Sequence, residues 1–561
     1  MTRPRPQRCL DVACDVGGGF VDLCATGSGA ILTAKVPRRR AATLTDMLHA
    51  ALAAAGIAPA EVGRLRLSTT LAANALLAGE AAPVALVATA GFTDVPDLGR
   101  QSRRDPDLWP PPPPTPPWMS PEAWRFPLRG RIAADGSQAE KLALDELDAL
   151  RALPHGTPVA LCLLFAHRNP AHELTAASRI AALRPDLPIS LSHRVDPQPR
   201  EFERMLATLA DASLKPLVLR LLAAEGLPAP WVMRAEGGLV PLAEALERPL
   251  GLVGSGPAAG ALAVAHAALG DDAIGLDIGS ATTEVSVHRA GAPLPARGTW
   301  LDEMWLRGTS LDVESLRLGG AMLLTTVGER LRLGPGIAPD GPACLGGTAA
   351  TLTDAALCAG LAAEAGTSQR EAARRACKGI DPAAVLRLAV AWLAERVRRI
   401  AFRRNLDLAR ARLVVGGGAG VFLAQAIAAE LGARELVVPC HAAVLAATGL
   451  ARAPAMAWEE MACDLGVDTL GTLHGHATQH AVSLRARLQQ WGVPAPRLRH
   501  ELDLAPGPRA EPLTLGWTPG DDSSLATRFA EAARAQRGQA PPGVPRVLAL
   551  RSIAAADLPA P

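Results

Sequence analysis

Apolar residues in this chain gather into short runs, and two of those runs end on an acid in the same way. Residues 10–14 lead into Asp15, a turn through Gly17, Gly18 and Gly19, and a second run that opens at Phe20 with Asp22 close behind. Residues 274–276 lead into Asp277, a turn through Gly279, Ser280, Ala281 and Thr282, and a second run that opens at Thr283 with Glu284 next to it. Each pattern predicts strand, tight turn, strand, with an acid at the mouth of the turn. A third segment, 413–415, is a strand followed by Gly416, Gly417 and Gly418 and then a helical stretch. Glycine lets backbone N–H groups come close to phosphate oxygens, and a leading aspartate can hold a water bound to Mg²⁺. The three segments, in this order and at domain-sized separation, predict a nucleotide clamp with the phosphates between two related domains.

The remaining pattern places elements around these turns. Residues 43–55 predict a helix capped by Thr43, and 65–68 and 84–88 predict short buried strands either side of a helix at 69–77. Residues 159–165 form another apolar run, with a helix opening near Pro170. From 199 to 224 apolar residues at Phe202, Met205, Leu206 and Leu209 mark one buried helix face. Helices are also expected within 382–402. The stretch 110–117 is nearly all proline and reads as a surface loop or, alternatively, a polyproline segment for partner docking. Residues 307–353 read as a loop-rich insert. Beyond 456 the chain is richer in proline and arginine, with strand candidates at 512–515 and 547–550 and a helix near 525–536.

Length and composition bound the class. A chain of 561 residues exceeds a single core and suggests about three to four domains. With 49% hydrophobic and 20% charged residues it is a folding sequence, and a net charge of +2 gives no electrostatic case for nucleic acid or an acidic membrane. Arginine greatly outnumbers lysine, whose only members are Lys35, Lys141, Lys215 and Lys378, and tyrosine is absent, so no phenol can act as acid or base. Nine cysteines form no C-x-x-C pair, which argues for reduced thiols. The first eight residues lead straight into a strand rather than a signal-peptide core, and the longest weakly polar stretch, 249–270, is too weakly hydrophobic to span a membrane. A cytoplasmic protein is expected.

Further motifs carry a family resemblance. Thr69-Thr70-Leu71-Ala72-Ala73-Asn74-Ala75-Leu76-Leu77 is similar to a T-T-x-A-T-N-A-L-L segment, and Gly91-Phe92-Thr93-Asp94 with Gly99-Arg100-Gln101 to G-F-x-D and G-R-Q. Asn169-Pro170 with His172-Glu173, Ser192-His193 with Glu201 to Arg204, Ser255-Gly256-Pro257-Ala258, and Gly341-Pro342-Ala343-Cys344 with Thr353-Asp354-Ala355 follow the same pattern. Together these resemble the A-type subunits of ATP-dependent hydantoinases and 5-oxoprolinases, a family that also includes acetone and acetophenone carboxylase subunits. The resemblance implies an α/β fold of the actin, sugar-kinase and Hsp70 type, with two ribonuclease-H-like domains closing over ATP and Mg²⁺. The chain then divides into 8–197 with the first phosphate turn, 198–453 with the second phosphate turn and the adenosine turn, and a small α+β domain at 456–561. It also implies phosphorylation of a cyclic amide oxygen followed by hydrolysis, a B-type hydantoinase subunit as partner, and an oligomeric assembly. Ketone carboxylation and a catalytically weakened nucleotide-binding scaffold are the alternatives; a small-molecule kinase is weaker, because no positioned base stands out in the first domain.

Site residues follow from these two sources. Asp15 and Asp277 are the metal- and phosphate-organising carboxylates, with Thr283 as a catalytic hydroxyl. Gly17, Gly18, Gly19, Asp22, Gly279, Thr282 and Glu284 are expected to line the phosphates, and Gly416, Gly417 and Gly418 the adenosine. Thr69, Thr70 and Asn74 face the cleft or merely cap a helix, and Arg100 and Gln101 are candidate substrate or phosphate contacts. His172 with Glu173 are acid/base candidates or a surface helix turn. His474, His476 and His480 lie close in sequence without a recognisable ligand spacing. Cys344 reads as packed rather than nucleophilic.

The sequence also departs from the family pattern. The first turn is usually G-G-T-F-T-D, and here Gly19 and Val21 replace both threonines. The second is usually D-M-G-G-T-S-T-D, and here Ser280, Ala281 and Glu284 stand for Gly, Thr and Asp. A glycine-rich segment of the insert appears as 316–324 with most small residues lost, and Ala356 ends what is usually T-D-A-N. Each lost phosphate hydrogen bond costs on the order of 1.5–3 kcal/mol, so three would remove much of the binding unless other groups compensate.

Overall fold

A computed structural model describes residues 9–561 apart from 28, 39–41, 101–114, 222–224, 303, 328–329, 363–364, 468, 508–509 and 542. Gln101 and most of the proline stretch therefore lie outside the described residues.

The apolar run before Asp15 becomes the strand Leu10–Val16, which pairs antiparallel with Phe20–Thr26, and Leu32–Pro37 adds to the hairpin's outer edge. Val62–Thr69 lies parallel to Leu10–Val16 on the other side, and Trp231–Met233 runs parallel beyond it. The run before Asp277 repeats this plan. Ala273–Ile278 pairs antiparallel with Thr283–Arg289, and Arg412–Gly416 and then Glu435–Val437 lie parallel beyond it. A hairpin followed by parallel strands, present twice, is the ribonuclease-H-like pair of the actin-like ATPase architecture. The first half is stabilised by a core around Val12, Leu23, Leu48 and Leu67, the second by one around Leu276, Val285, Leu393 and Val415.

Each half carries an insertion. Between Val62–Thr69 and Trp231–Met233 lies a four-stranded parallel sheet ordered Ile189–Leu191, Val159–Cys162, Ala85–Thr89, Arg125–Leu128, with its own core of Val87, Leu161, Ala176 and Ile180. The long helix Glu201–Leu221 buries the expected face through Met205, Leu206 and Leu209. Between Thr283–Arg289 and Arg412–Gly416 lie two antiparallel hairpins: Pro295–Leu301 with Met304–Leu311, mostly ahead of the 307–353 region read as loop-rich, and Met322–Val327 with Arg330–Ile337 inside it.

The C-terminal strands do not stand apart from the first sheet. Leu239–Pro241 pairs with Ala455–Gly466, and Arg546–Ala556, Arg497–Ala505 and Leu513–Trp517 follow, so one ten-stranded sheet runs from residue 32 to residue 517. The helix Gly471–Gln490 packs on this extension and carries the histidine cluster. His474 Nε2 lies 3.0 Å from Asp522, and His480 Nδ1 lies 3.1 Å from the Ser552 hydroxyl. No helix among the described residues is long and apolar enough to cross a membrane.

Candidate active site

The two acid-led turns are built alike. Asp15 sits opposite Asp22 in the first hairpin, and Asp277 sits opposite Glu284 in the second. Each turn is closed by one backbone bond, Gly17 N–H to Phe20 O at 3.0 Å and Gly279 N–H to Thr282 O at 2.9 Å. Among the described residues the N–H groups of Gly18, Gly19, Ser280, Ala281 and Gly418 donate to no protein acceptor. Unbonded, convergent N–H groups at a turn form a concavity for anions.

One helix brings both aspartates together. Ser255–Ala268 opens at Gly254 in the left-handed region, φ 96°, and presents Gly256 and Gly260 on successive turns. A Cβ on Gly256 would lie 3.2 Å from Asp15 Oδ1, and one on Gly260 3.1 Å from Asp277 Oδ2. Glycine at both positions lets the two carboxylates sit tightly against the same helix face. The third glycine turn closes over Asp277 from the other side: Gly417, at φ 84°, would put a Cβ 2.5 Å from Asp277 Oδ1.

The carboxylates differ in support. Asp15 accepts a hydrogen bond of 2.6 Å from Ser68. Asp22 is held by Lys35 Nζ at 2.7 and 2.8 Å, and burial pushes its carboxyl up to about 6 against the pull of that lysine. Asp277 accepts no hydrogen bond among the described residues. Burial, with Asp22, Asp15 and Glu284 nearby, pushes its carboxyl up to about 7. Glu284 accepts from Ser315 at 3.0 Å, and burial raises it as well.

Lys35 is a cation placed between the two turns. From the edge strand Leu32–Pro37 its Nζ also donates to Ala443 O at 3.2 Å, and its Cε would lie 3.1 Å from a Cβ on Gly418. It thus reaches from the first half to the glycine turn of the second. Sequence reasoning passed over it; the available signal was a lysine at the hairpin's edge in a chain that uses arginine nearly everywhere else. Ser68, Gly256 and Gly260 were passed over too, although Gly256 lies inside a motif already noted.

Other expected residues fall in different places. The Thr283 hydroxyl donates to Leu318 O at 2.7 Å and the residue is fully buried, so it anchors the segment after Val313–Leu316 instead of facing the cleft as a catalytic group. Gly416 faces Leu445 in the core, away from the cleft. Glu173 is fully buried and clamps Leu163 N–H, Ser192 Oγ and His193 Nδ1 at 2.9, 2.6 and 2.6 Å, so it is neither a surface turn nor a cleft acid. Cys344 is buried, and burial beside Asp354 pushes its thiol up to about 12, which keeps it protonated.

A cavity of about 2300 Å³ opens beside the turns. Thr69, Thr70, Asn74, Thr282 and Glu284 line its inner end, and Arg100, paired with the buried Glu203, lies further out. The hydroxyls of Thr69 and Thr70 lie 3.4 Å from Val16 O, and Asn74 Nδ2 lies 3.3 Å from Thr70 Oγ1, so this helix start is tied to the first turn. At the far end Glu460 is held by Arg551 at 3.2 Å and Arg297 at 3.3 Å, which joins the C-terminal strands to the cavity floor.

These residues fit a metal–polyphosphate. The carboxylates have oxygens open toward a cation, and the free N–H groups suit an anion. No three His, Cys, Asp or Glu side chains among the described residues converge on one point, so the site suits a hydrated divalent ion carried by phosphates, not a protein-only cage.

Comparison with known proteins agrees with this geometry. The family model described as "Hydantoinase/oxoprolinase" matches residues 223–458, and that of its N-terminal region matches 11–183. The chain is 28% identical to caprolactamase subunit alpha of Pseudomonas jessenii over 490 residues, 78% of this chain and 69% of that one. Its fold matches the crystal structure of ATP-dependent caprolactamase from the same organism with a TM-score of 0.80 at 23% identity, over 97% of this chain and 88% of the other. It also matches the nucleotide-free structure of acetone carboxylase with a TM-score of 0.73 at 17% identity, over 99% and 89%. Two acid-led turns on twinned sheets, joined by one glycine-bearing helix, together with these matches, place the chain in the hydantoinase/oxoprolinase family.

Proposed function

We propose that this chain is the ATP-binding subunit of an ATP-dependent cyclic-amide hydrolase of the hydantoinase or 5-oxoprolinase type, working with a B-type partner subunit. The supporting observation is the placement of Asp15 and Asp277 against successive turns of one helix, between two sets of unbonded N–H groups. The free N–H groups of both turns hold the phosphates, and Asp15 and Asp277 hold water on Mg²⁺. Lys35 offsets part of the carboxylate charge that would otherwise repel the nucleotide. The metal, when bound, neutralises charge on the transferring phosphoryl group.

A cyclic amide is a poor electrophile because resonance feeds its carbonyl. Transfer of the terminal phosphoryl group to that oxygen lets water add to the carbon. The ring C–N bond then breaks to give a free amine and an acyl phosphate, and a second water releases phosphate. The cleft residues position these steps. The cavity exceeds the roughly 300–1,000 Å³ of a fitted small-molecule site, so domain closure or the partner subunit fills part of it.

The test is direct. Mg-ATP protects the chain from heat, and with its partner subunit a lactam, 5-oxoproline or a hydantoin stimulates phosphate release. The loss of hydroxyls at Gly19, Val21 and Ala281 favours a second reading, a nucleotide-binding scaffold. Protection by Mg-ATP without stimulated release by any of these substrates decides for it, and stimulation by a ketone with bicarbonate decides for the carboxylase reading.

A further inference from the structure

The two phosphate turns touch at one point. A Cβ built on Gly19 would lie 2.6 Å from Ser280 Oγ and 3.2 Å from Ser280 Cβ. The serine of the second turn already fills the space that a side chain at position 19 would occupy. The family pattern carries threonine where this chain has Gly19 and glycine where it has Ser280. The two changes are therefore reciprocal: a hydroxyl is missing from one turn and present on the other, in nearly the same place.

The surroundings leave that hydroxyl available. The Ser280 carbonyl accepts from Ala321 N–H at 2.7 Å, and the Gly19 carbonyl from Arg38 N–H at 2.8 Å, so both turns are fixed by their backbones. Among the described residues the Ser280 hydroxyl has no hydrogen-bond partner. The N–H groups of Gly19, Ala281 and Ser280 itself donate to no protein acceptor among the described residues.

Resting on the nucleotide reading above, we infer that Ser280 supplies a phosphate-binding hydroxyl from the second domain, in place of the one the first turn has lost, and that position 19 is glycine to admit it. The hydroxyl donates to a phosphoryl oxygen of the bound nucleotide. Because it crosses from one half to the other, the contact forms only while the two turns are apposed. Nucleotide grip and cleft closure become one event.

A double-mutant cycle on the full chain tests this, with Mg-ADP and the Mg complex of a non-hydrolysable ATP analogue as probes. Ser280→Ala and Ser280→Gly weaken binding by about tenfold or more, in line with loss of a hydrogen bond to a charged oxygen, while the unliganded melting temperature is unchanged. Gly19→Thr also weakens binding, because its side chain meets Ser280. The pair Gly19→Thr with Ser280→Gly binds more tightly than either single variant. Wild-type affinity in Ser280→Ala overturns the assignment, as does a double variant no better than the weaker single one. Failure of the wild-type chain to bind either probe refutes the nucleotide reading itself, and is thereby distinct.

Discussion

The first and second hairpins share topology and register but not their means of support. Asp15 and Asp22 are both compensated, by the Ser68 hydroxyl and the Lys35 ammonium. Asp277 accepts no hydrogen bond among the described residues and feels Lys35 only through space, and its turn is held by an inserted strap: Gly320 N–H donates to Gly279 O at 2.9 Å and Ala321 N–H to Ser280 O at 2.7 Å. The first half pairs its acids with side-chain donors; the second leaves one carboxylate without a donor. A buried carboxylate without a donor is costly, so its retention points to a ligand that completes it.

The largest effect that would break this comparison is at Asp277. Asp277→Asn lowers nucleotide-dependent phosphate release by about 100-fold or more, yet raises the unliganded melting temperature, because an uncompensated buried charge is removed. Equal stability loss in Asp277→Asn and Asp15→Asn contradicts the difference between the halves.

Lys35→Met is next. It leaves Asp22 without its ammonium and removes the tie to Ala443, and it destabilises the unliganded chain by about 1–3 kcal/mol in denaturant titration. Of similar size is Gly319→Ala, whose Cβ would lie 2.6 Å from Ser280 C and 2.7 Å from Ala281 C. The strap must shift, so nucleotide affinity and melting temperature fall together.

A smaller effect separates the halves by pH. His288 lies on the second hairpin, fully buried, with Ser286 at 2.9 Å, and burial pushes its imidazole down to about 4. Thr26, which carries no ionisable group, takes the equivalent register position in the first hairpin. A depressed histidine means that the unfolded chain binds more protons at intermediate pH. Stability from this site is therefore complete above about pH 6.5 and is lost as pH falls toward 4. His288→Leu removes this contribution, read as a smaller fall in melting temperature between pH 7 and pH 5 than in the wild-type chain. The smallest effect is at Gly18, where a Cβ meets nothing within 4 Å: Gly18→Ala leaves unliganded stability within about 0.5 kcal/mol of wild type.

Local patterns were legible in the sequence. An apolar run ending on an acid and a glycine turn is written in consecutive residues, and so is the Thr43 cap, where the structure has Thr43 and Asp46 in a reciprocal capping box. What depended on distant partners was not. Nothing near Thr283 shows that its hydroxyl is committed to Leu318, and nothing near residue 455 shows that the C-terminal strands extend the first sheet. Lys35 escaped notice because its meaning lies in Ala443 and Gly418, some 400 positions away. The strand Pro295–Leu301 was hidden by weak alternation on a partly exposed run, where burial on one face does not mark the period.

The helix Ser255–Ala268 has a mechanical consequence. Four residues of α-helix advance about 6 Å, and that rise separates Gly256 from Gly260, the points where the two aspartates rest. The points that meet the two acids thus lie one helical turn apart on a single rod, so the helix sets the gauge between them while the two turns are apposed.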